Sequence, residues 1–243
     1  MRDYVRYRPT YPDGVVQTLV EEGALTPSSA IADVGSGTGI SSELFLRHGY
    51  EVYGVEPNDD MRAAAESLLS AYPRFHSIAG RAEATRLPDS SADLVLAAQA
   101  FHWFDTVRAR EEWVRILRPD GHAVVMWNSR RTGPAPFLCG YEALLQEHGT
   151  DYREVRRRNQ DPSRLEALFD AGTHRTRTLA NEQSLDLEGL TGRLLSSSYT
   201  PAADDPRRGP MLDALKRLFE AHNESGFVRL EYDTEIHIGR IAR

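Results

Sequence analysis

A doubly wound α/β fold, with a mostly parallel sheet covered by helices on both faces, is what the apolar pattern of this chain requires. Short apolar runs recur at 30–34, 51–56, 75–79, 93–98 and 122–127, amphipathic stretches of helical period separate them, and a glycine-rich turn follows the first run. Strands without regular polar alternation are buried on both faces. Parallel strands joined by crossover helices meet that condition.

The elements are expected in this order. Val15, Val16, Leu19 and Val20 share one helix face, and Thr26-Pro27 breaks the chain before the first strand, Ala30-Ile31-Ala32-Asp33-Val34. A helix over 41–48 stops at Gly49. After strand 51–56, Asp59 or Asp60 is expected to cap a helix over 61–71, and strand 75–79 follows. Strand 93–98 leads to a helix over 110–117, and Pro119-Asp120-Gly121 predicts a turn into strand 122–127. Beyond Asn128 the pattern loosens. Helices are expected at 137–148, 163–171 and 212–222, with a strand beginning near 173 and another over 227–238.

The 243 residues suit a single domain (1–243), with an N-terminal arm at 1–12, a core at 13–128 and a cap with closing strands at 129–243. Hydrophobic residues at 40% and charged residues at 27% are those of a globular protein. A formal charge of −7 argues against nucleic acid as a partner, since such proteins gain affinity by neutralising phosphates with a basic face. No apolar run is long enough for a membrane span or placed as a signal core, so a cytoplasmic protein without a membrane partner is expected. Cys139 is the only cysteine, which excludes an internal disulfide and a cysteine zinc cluster. It is expected to be a small buried residue. The eight histidines lack ligand spacing, so no metal is expected, and nothing in the sequence signals an oligomeric state.

The turn Gly35-Ser36-Gly37-Thr38-Gly39 lies between the first strand and the next helix, where open α/β sheets bind ligands. Its Gly-x-Gly-x-Gly spacing is neither the dinucleotide fingerprint nor a triphosphate loop. Glu56 ends the second strand roughly 20 residues later, where a carboxylate can accept hydrogen bonds from both hydroxyls of an adenosine ribose. Pro57 closes the same crevice. Ala82 and Glu83, after the third strand, are placed to read an adenine edge.

Residues 31–40, Glu56, Ala82-Glu83 and Ile116-Leu117-Arg118-Pro119-Asp120-Gly121 together resemble the successive motifs of class I S-adenosylmethionine-dependent methyltransferases of the type 11 group. Tyr7-Arg8-Pro9-x-Tyr11-Pro12 and Gln99-Ala100-Phe101-His102-Trp103-Phe104-Asp105 are similar to a narrower subgroup that includes trans-aconitate methyltransferase-like proteins. The resemblance implies a Rossmann-like sheet of seven strands with the last antiparallel, and S-adenosylmethionine as cofactor. It places Asp33, Gly35 and Gly37 along the methionine part, with Ser36, Thr38 and Gly39 completing the loop. Glu56 would hold ribose, Ala82 and Glu83 would face adenine, and Ala98 would border the methyl group. Met61 and Gln99 complete the expected cofactor shell.

Methyl transfer from a sulfonium is an in-line displacement that positioning and desolvation can largely drive, so an enzyme nucleophile is not required. A small-molecule acceptor is expected. His102, just after the fourth strand, is the candidate base for an acceptor that must lose a proton; packing is its other reading. Phe101 and Trp103 either wall the acceptor site or pack the core. Tyr4 and Tyr11 of the arm and Tyr199 are further candidates for acceptor contact. Arg8 is a candidate partner for the methionine carboxylate or an acidic acceptor. The arm as a whole is expected to act as a lid. Arg153 and Arg156-Arg157-Arg158 read as a solvated run or as an attractor of anions. Two rival readings remain: a NAD(P)-dependent oxidoreductase, opposed by the glycine spacing, and a non-catalytic module that binds an adenosine cofactor.

Overall fold

The computed structural model describes residues 7–154 and 162–242. Tyr4 and Arg156-Arg157-Arg158 lie outside the described residues. Seven strands, β1 (Ala30–Val34), β2 (Glu51–Val55), β3 (Phe75–Ile78), β4 (Ala92–Ala98), β5 (Leu117–Arg130), β6 (Arg175–Leu185) and β7 (Val228–Gly239), form one sheet in the order β3-β2-β1-β4-β5-β7-β6. From β3 to β5 every neighbouring pair is parallel, and the last strand is antiparallel. The helices are α1 (Gly14–Glu21), α2 (Ile40–Arg47), α3 (Asp59–Leu68), α4 (Thr106–Ile116), α5 (Pro136–His148), α6 (Pro162–Leu168), α7 (Leu187–Leu195) and α8 (Arg208–His222).

The chain divides into two compact units. Of the described residues, a core unit holds 10–128, 162–179 and 234–242, and a helical unit holds 7–9, 129–154 and 180–233. Residues 162–179 and 234–242, placed in the cap by sequence, belong instead to the core unit, because Leu168, Phe169, Ile236, Ile238 and Ile241 are buried in its two apolar clusters. Those clusters follow from strand geometry. Ile31, Leu94, Leu96 and Val124 enter one, while Ala32, Val95, Ala97 and Val125 enter the other, since successive residues of a strand point to opposite faces. The helical unit has a core of its own, built from Leu138, Tyr141 and Leu145 of α5, Leu190 and Leu194 of α7, and Met211 and Leu215 of α8.

Several local expectations are corrected. Asn58, and neither aspartate, caps α3, its side chain accepting from Met61 N at 3.0 Å. Asp59 and Asp60 fall inside the first turn, where they favour the helix dipole. The expected turn at Pro119-Asp120-Gly121 is an irregularity within β5: its register on β4 jumps from Ala92↔Leu117 to Leu94↔His122, which loops residues 118–121 out. Cys139 is exposed. It lies on the side of α5 opposite Leu138, Tyr141, Leu144 and Leu145, which fill the core.

Candidate active site

The carboxyl ends of β1 and β2 bring the core of the site together. Gly35 N and Ser36 N donate to Val55 O at 2.8 and 3.2 Å, so the glycine turn leaves β1 already fastened to β2. Gly35 has φ +70°, and a Cβ there would lie 2.7 Å from Ala100 Cβ and 3.0 Å from Phe104 Cζ. Only glycine permits both the turn and the approach of the segment after β4. Gly37 N then donates to Glu56 Oε2 at 3.0 Å, while Asn58 N donates to Oε1 at 2.8 Å. Glu56 is buried at 7% exposure and is therefore both the latch of the loop and a carboxylate with remaining lone pairs.

Asp33, fully buried near the end of β1, accepts at Oδ2 from Ser41 Oγ and Ser42 Oγ, each at 2.7 Å. Both serines sit in the first turn of α2, so the same Asp-to-serine contacts pull that helix onto the strand. Burial pushes the Asp33 carboxyl up to about 6, against the lowering pull of the serine hydrogen bonds and with a smaller push from the Glu56 charge. No cation answers it among the described residues that set its charge. Asp33 Oδ1 and Thr38 Oγ1 are buried and have no hydrogen-bond partner among the described residues. Around Gly37, by contrast, the space a Cβ would occupy is open.

The remaining expected residues fall into three groups. Ala82 is buried, and Glu83 Oε1 accepts from Asp105 N at 2.9 Å, while Asp105 caps α4 by accepting from Arg108 N. The loop after β3 is thus tied to the segment after β4. Gln99, at φ +58°, bends the chain beyond Ala98; its backbone N donates to Met126 O at 3.0 Å and its amide to Asn128 O at 3.3 Å. Phe101 is 1% exposed and packs against Phe104, Trp113 and Trp127, His102 stacks at a tilt on Trp103, and Trp103 is 62% exposed. Pro57 is exposed and Met61 partly buried. Tyr11 is buried in the core unit's apolar cluster.

In the helical unit, Tyr7 OH donates to Glu188 Oε1 at 2.8 Å and Tyr7 O accepts from Gln183 Nε2 at 3.2 Å. A Cβ on Gly192 would sit 2.1 Å from the Tyr7 ring, so the absent side chain makes the seat for that ring on α7. Arg8 donates to Ser196 O at the end of α7. Tyr199 packs edge-on against Tyr152.

Sequence reasoning missed the residues that hold this apparatus. Arg164 donates to Phe101 O and Phe104 O at 3.0 and 2.7 Å and pins the segment after β4. Asn128 accepts from Thr234 Oγ1 at 2.6 Å and donates to Thr10 O at 3.1 Å. The adjacent serines at the start of α2, one helical turn from the loop, were a readable signal. Arg164 offered none, since its contacts cross 60 residues of sequence or more.

A buried acid at the end of β1, a three-glycine turn beyond it, a latched acid at the end of β2 and this strand order together define a class I methyltransferase fold. Comparison with known proteins carries the assignment further. The methyltransferase domain family matches residues 32–125. An uncharacterized methyltransferase of Mycobacterium tuberculosis is 31% identical over 219 residues, covering 90% of this chain and 83% of that one. An uncharacterized methyltransferase-like protein of Schizosaccharomyces pombe is 36% identical over 129 residues, 53% of this chain and 49% of that one. A structure described as a type II methyltransferase, from Anaeromyxobacter dehalogenans, superposes with a TM-score of 0.65 at 22% identity, covering 97% of this chain and 99% of that one. The chain belongs to the methyltransferase family and is an S-adenosylmethionine-dependent enzyme.

Proposed function

We propose that the chain transfers the methyl group of S-adenosylmethionine to a small-molecule acceptor, with 33–39, Glu56 and Pro57 as the cofactor's main contacts. One observation carries this reading: a buried, uncompensated Asp33 and an unpartnered Thr38 hydroxyl flank a glycine turn whose open side faces no side chain. Buried polar atoms without partners are rare in folded proteins and mark places where a ligand completes the structure. The donor set fits a cofactor with a cationic amino-acid end and a ribose.

When bound, the cofactor supplies a methyl group on a sulfonium leaving group. The chain's own residues bind, orient and dry it. Asp33 answers a positive charge, Thr38 offers a hydroxyl, and Glu56 takes ribose hydroxyls with the lone pairs that Gly37 and Asn58 leave. Ala82, Glu83 and Met61 are assigned to the adenine side, Ala98 and Gln99 to the methyl end, and Arg8 to an anionic group. Displacement at carbon needs alignment more than proton transfer, so His102 serves as base only for an acceptor that must lose a proton. Trp103, Tyr11 and Phe101 of the core unit are assigned to the acceptor's surroundings.

Calorimetry tests this directly. S-adenosylhomocysteine and S-adenosylmethionine are expected to bind with comparable affinity and NAD not at all. Tight NAD binding without sulfonium binding would return the oxidoreductase reading. Tritiated methyl donor with panels of acids, phenols and amines then identifies the acceptor.

A further inference from the structure

A pair of histidines joins the last two strands of the sheet at one end. His174, just before β6, places Nε2 at 3.1 Å from Nδ1 of His237 on β7. Thr176 Oγ1 stands 3.1 Å from the same His237 Nδ1, and Nε2 of His237 lies 3.8 Å from Glu235 Oε2. All of these residues belong to the core unit. The frame around them is fixed. The Phe169 ring stacks on His174 with centroids 4.7 Å apart and fills the space beside Gly239, where a Cβ would lie 2.5 Å from it. Asp170 N donates to Arg240 O at 2.9 Å, Thr173 Oγ1 donates to the same carbonyl at 3.2 Å, and Trp127 of β5 meets His237 edge-on.

Two imidazole nitrogens at this distance need one proton between them. The Glu235 carboxylate decides where it sits. A bare Nε2 on His237 would set a lone pair against a negative charge, so Nε2 carries the hydrogen and Nδ1 is the acceptor. His174 Nε2–H and the Thr176 hydroxyl then both donate to that nitrogen. A first added proton is accommodated, since the two rings can share it in a charged hydrogen bond. A second is not, because it sets two cations with their N–H groups opposed at 3.1 Å. Burial, and after it the charge of His237, hold His174 below the ordinary imidazole range.

The strand end that the pair secures lies at the rim of the sheet. β6 is its outermost strand, and residues 175–178 are exposed. Arg175 and Arg177 reach Glu22, just beyond α1, at 2.9 and 2.5 Å, and they hold Glu22 below its ordinary value, so that clamp stays charged in mild acid. His122 on β5 is also held low, by burial and by Arg240 and Arg175, against the pull of Asp120. We propose that His174, His237 and Thr176 form a proton-operated latch that fastens the start of β6 to β7 at neutral pH and opens in mild acid. The folded latch refuses a proton that the unfolded chain accepts. Its stabilisation is therefore present above 6.5, the ordinary imidazole value, and is lost as pH falls below it.

NMR on the full chain tests the latch. Long-range nitrogen spectra at pH 7.5 are expected to show His237 protonated at Nε2, and the His174 ring is expected to titrate in two steps as pH falls to 5. Exchange of the amides of 175–178, corrected for its intrinsic dependence on pH, is expected to rise ~tenfold over the same range. His174→Phe keeps the stack on Phe169 and removes the shared proton. In that variant the same amides should exchange faster at pH 7.5 and show no further rise in acid. His122 is present in both proteins, so its titration cancels from the comparison. A bare Nε2 on His237 at pH 7.5, a one-step titration of His174, or the same pH response in wild type and variant each overturns the proposal. Should the variant fail to fold, the tautomer and the two steps in the wild type decide alone.

Discussion

Asp33 in the core unit and Arg193 in the helical unit are both buried and have no ion-pair partner among the described residues, and the two respond in opposite ways. In the core unit, Asp33 is held by two serine hydroxyls, and burial lifts it to about 6, so its charge is conditional on pH. In the helical unit, Arg193 is held by a phenol and a serine and stays charged at every pH the fold survives. An acid escapes an apolar site by taking a proton; a guanidinium has no such exit. The core unit's charge can therefore be switched by solution conditions, while the helical unit's can only be matched.

Breaking the Arg130–Glu142 pair of the helical unit should produce the largest effect. Burial pushes Glu142 upward, but hydrogen bonds from Tyr152, Gln146 and Arg130 hold it below its ordinary value. Glu142→Ala strands Arg130 without its carboxylate and is expected to cost ~3–5 kcal/mol, the cost typical of orphaning one member of a buried pair. Urea unfolding measures it, and a loss under 1 kcal/mol would mean that this unit tolerates unmatched charge freely. Next comes Asp33→Asn. An acid raised from 3.8 to about 6 binds protons in the folded state that the unfolded state has released, so stability falls as pH rises from about 4 through 6. Asparagine removes that penalty. The variant should gain ~3 kcal/mol at pH 7.5 relative to the parent and nothing at pH 3.5, from two pKa units at 1.36 kcal/mol each. Its affinity for S-adenosylhomocysteine should nevertheless drop, and the parent's own affinity should weaken as pH falls through 6. Thermal melts and calorimetry across that range check both, and a pH-independent difference between the two proteins would contradict the assignment.

Two smaller effects sharpen the contrast. Glu56→Ala removes both the latch on Gly37 and the proposed ribose acceptor, and cofactor binding should weaken by roughly 2 kcal/mol, as for hydrogen bonds to a charged group. An unchanged dissociation constant in a folded variant would place the ribose elsewhere. Tyr7→Phe deletes the bond to Glu188 while keeping the ring seated at Gly192, and about 1 kcal/mol of stability should be lost. A loss several times larger would show that the hydroxyl organises more of the arm than this one contact.

The core unit was legible because its chemistry is local. The apolar runs, the glycine turn and the strand-end acid lie within a short stretch, and each obeys a backbone rule: positive φ at Gly35, burial on both faces at Ile31 and Ala32. The helix cap failed by one residue, since Asn58 and Asp59 are equally good cap types and only the backbone chooses between them. The helical unit was opaque for the opposite reason. Arg193 in Leu-Thr-Gly-Arg-Leu-Leu looks like any polar residue of an amphipathic helix, and its burial depends on Tyr232, 39 residues further on. Cys139 misled because cysteine is usually buried, whereas the period of α5 turns it outward.

The order in which the chain is made bears on how it folds. Asn128 completes its hydrogen bonds only when Thr234 is present, and Ile236 and Ile238 fill the apolar cluster that Val15 and Ile31 began more than 200 residues earlier. During synthesis, the strands of β1 to β5 emerge first and must wait, with one apolar face incomplete, while all of residues 129–233 are added. Contacts so distant in sequence are slow to close and leave sticky surface exposed in the meantime. Chaperone dependence during expression, and aggregation of any product that stops short of residue 234, follow from that wiring.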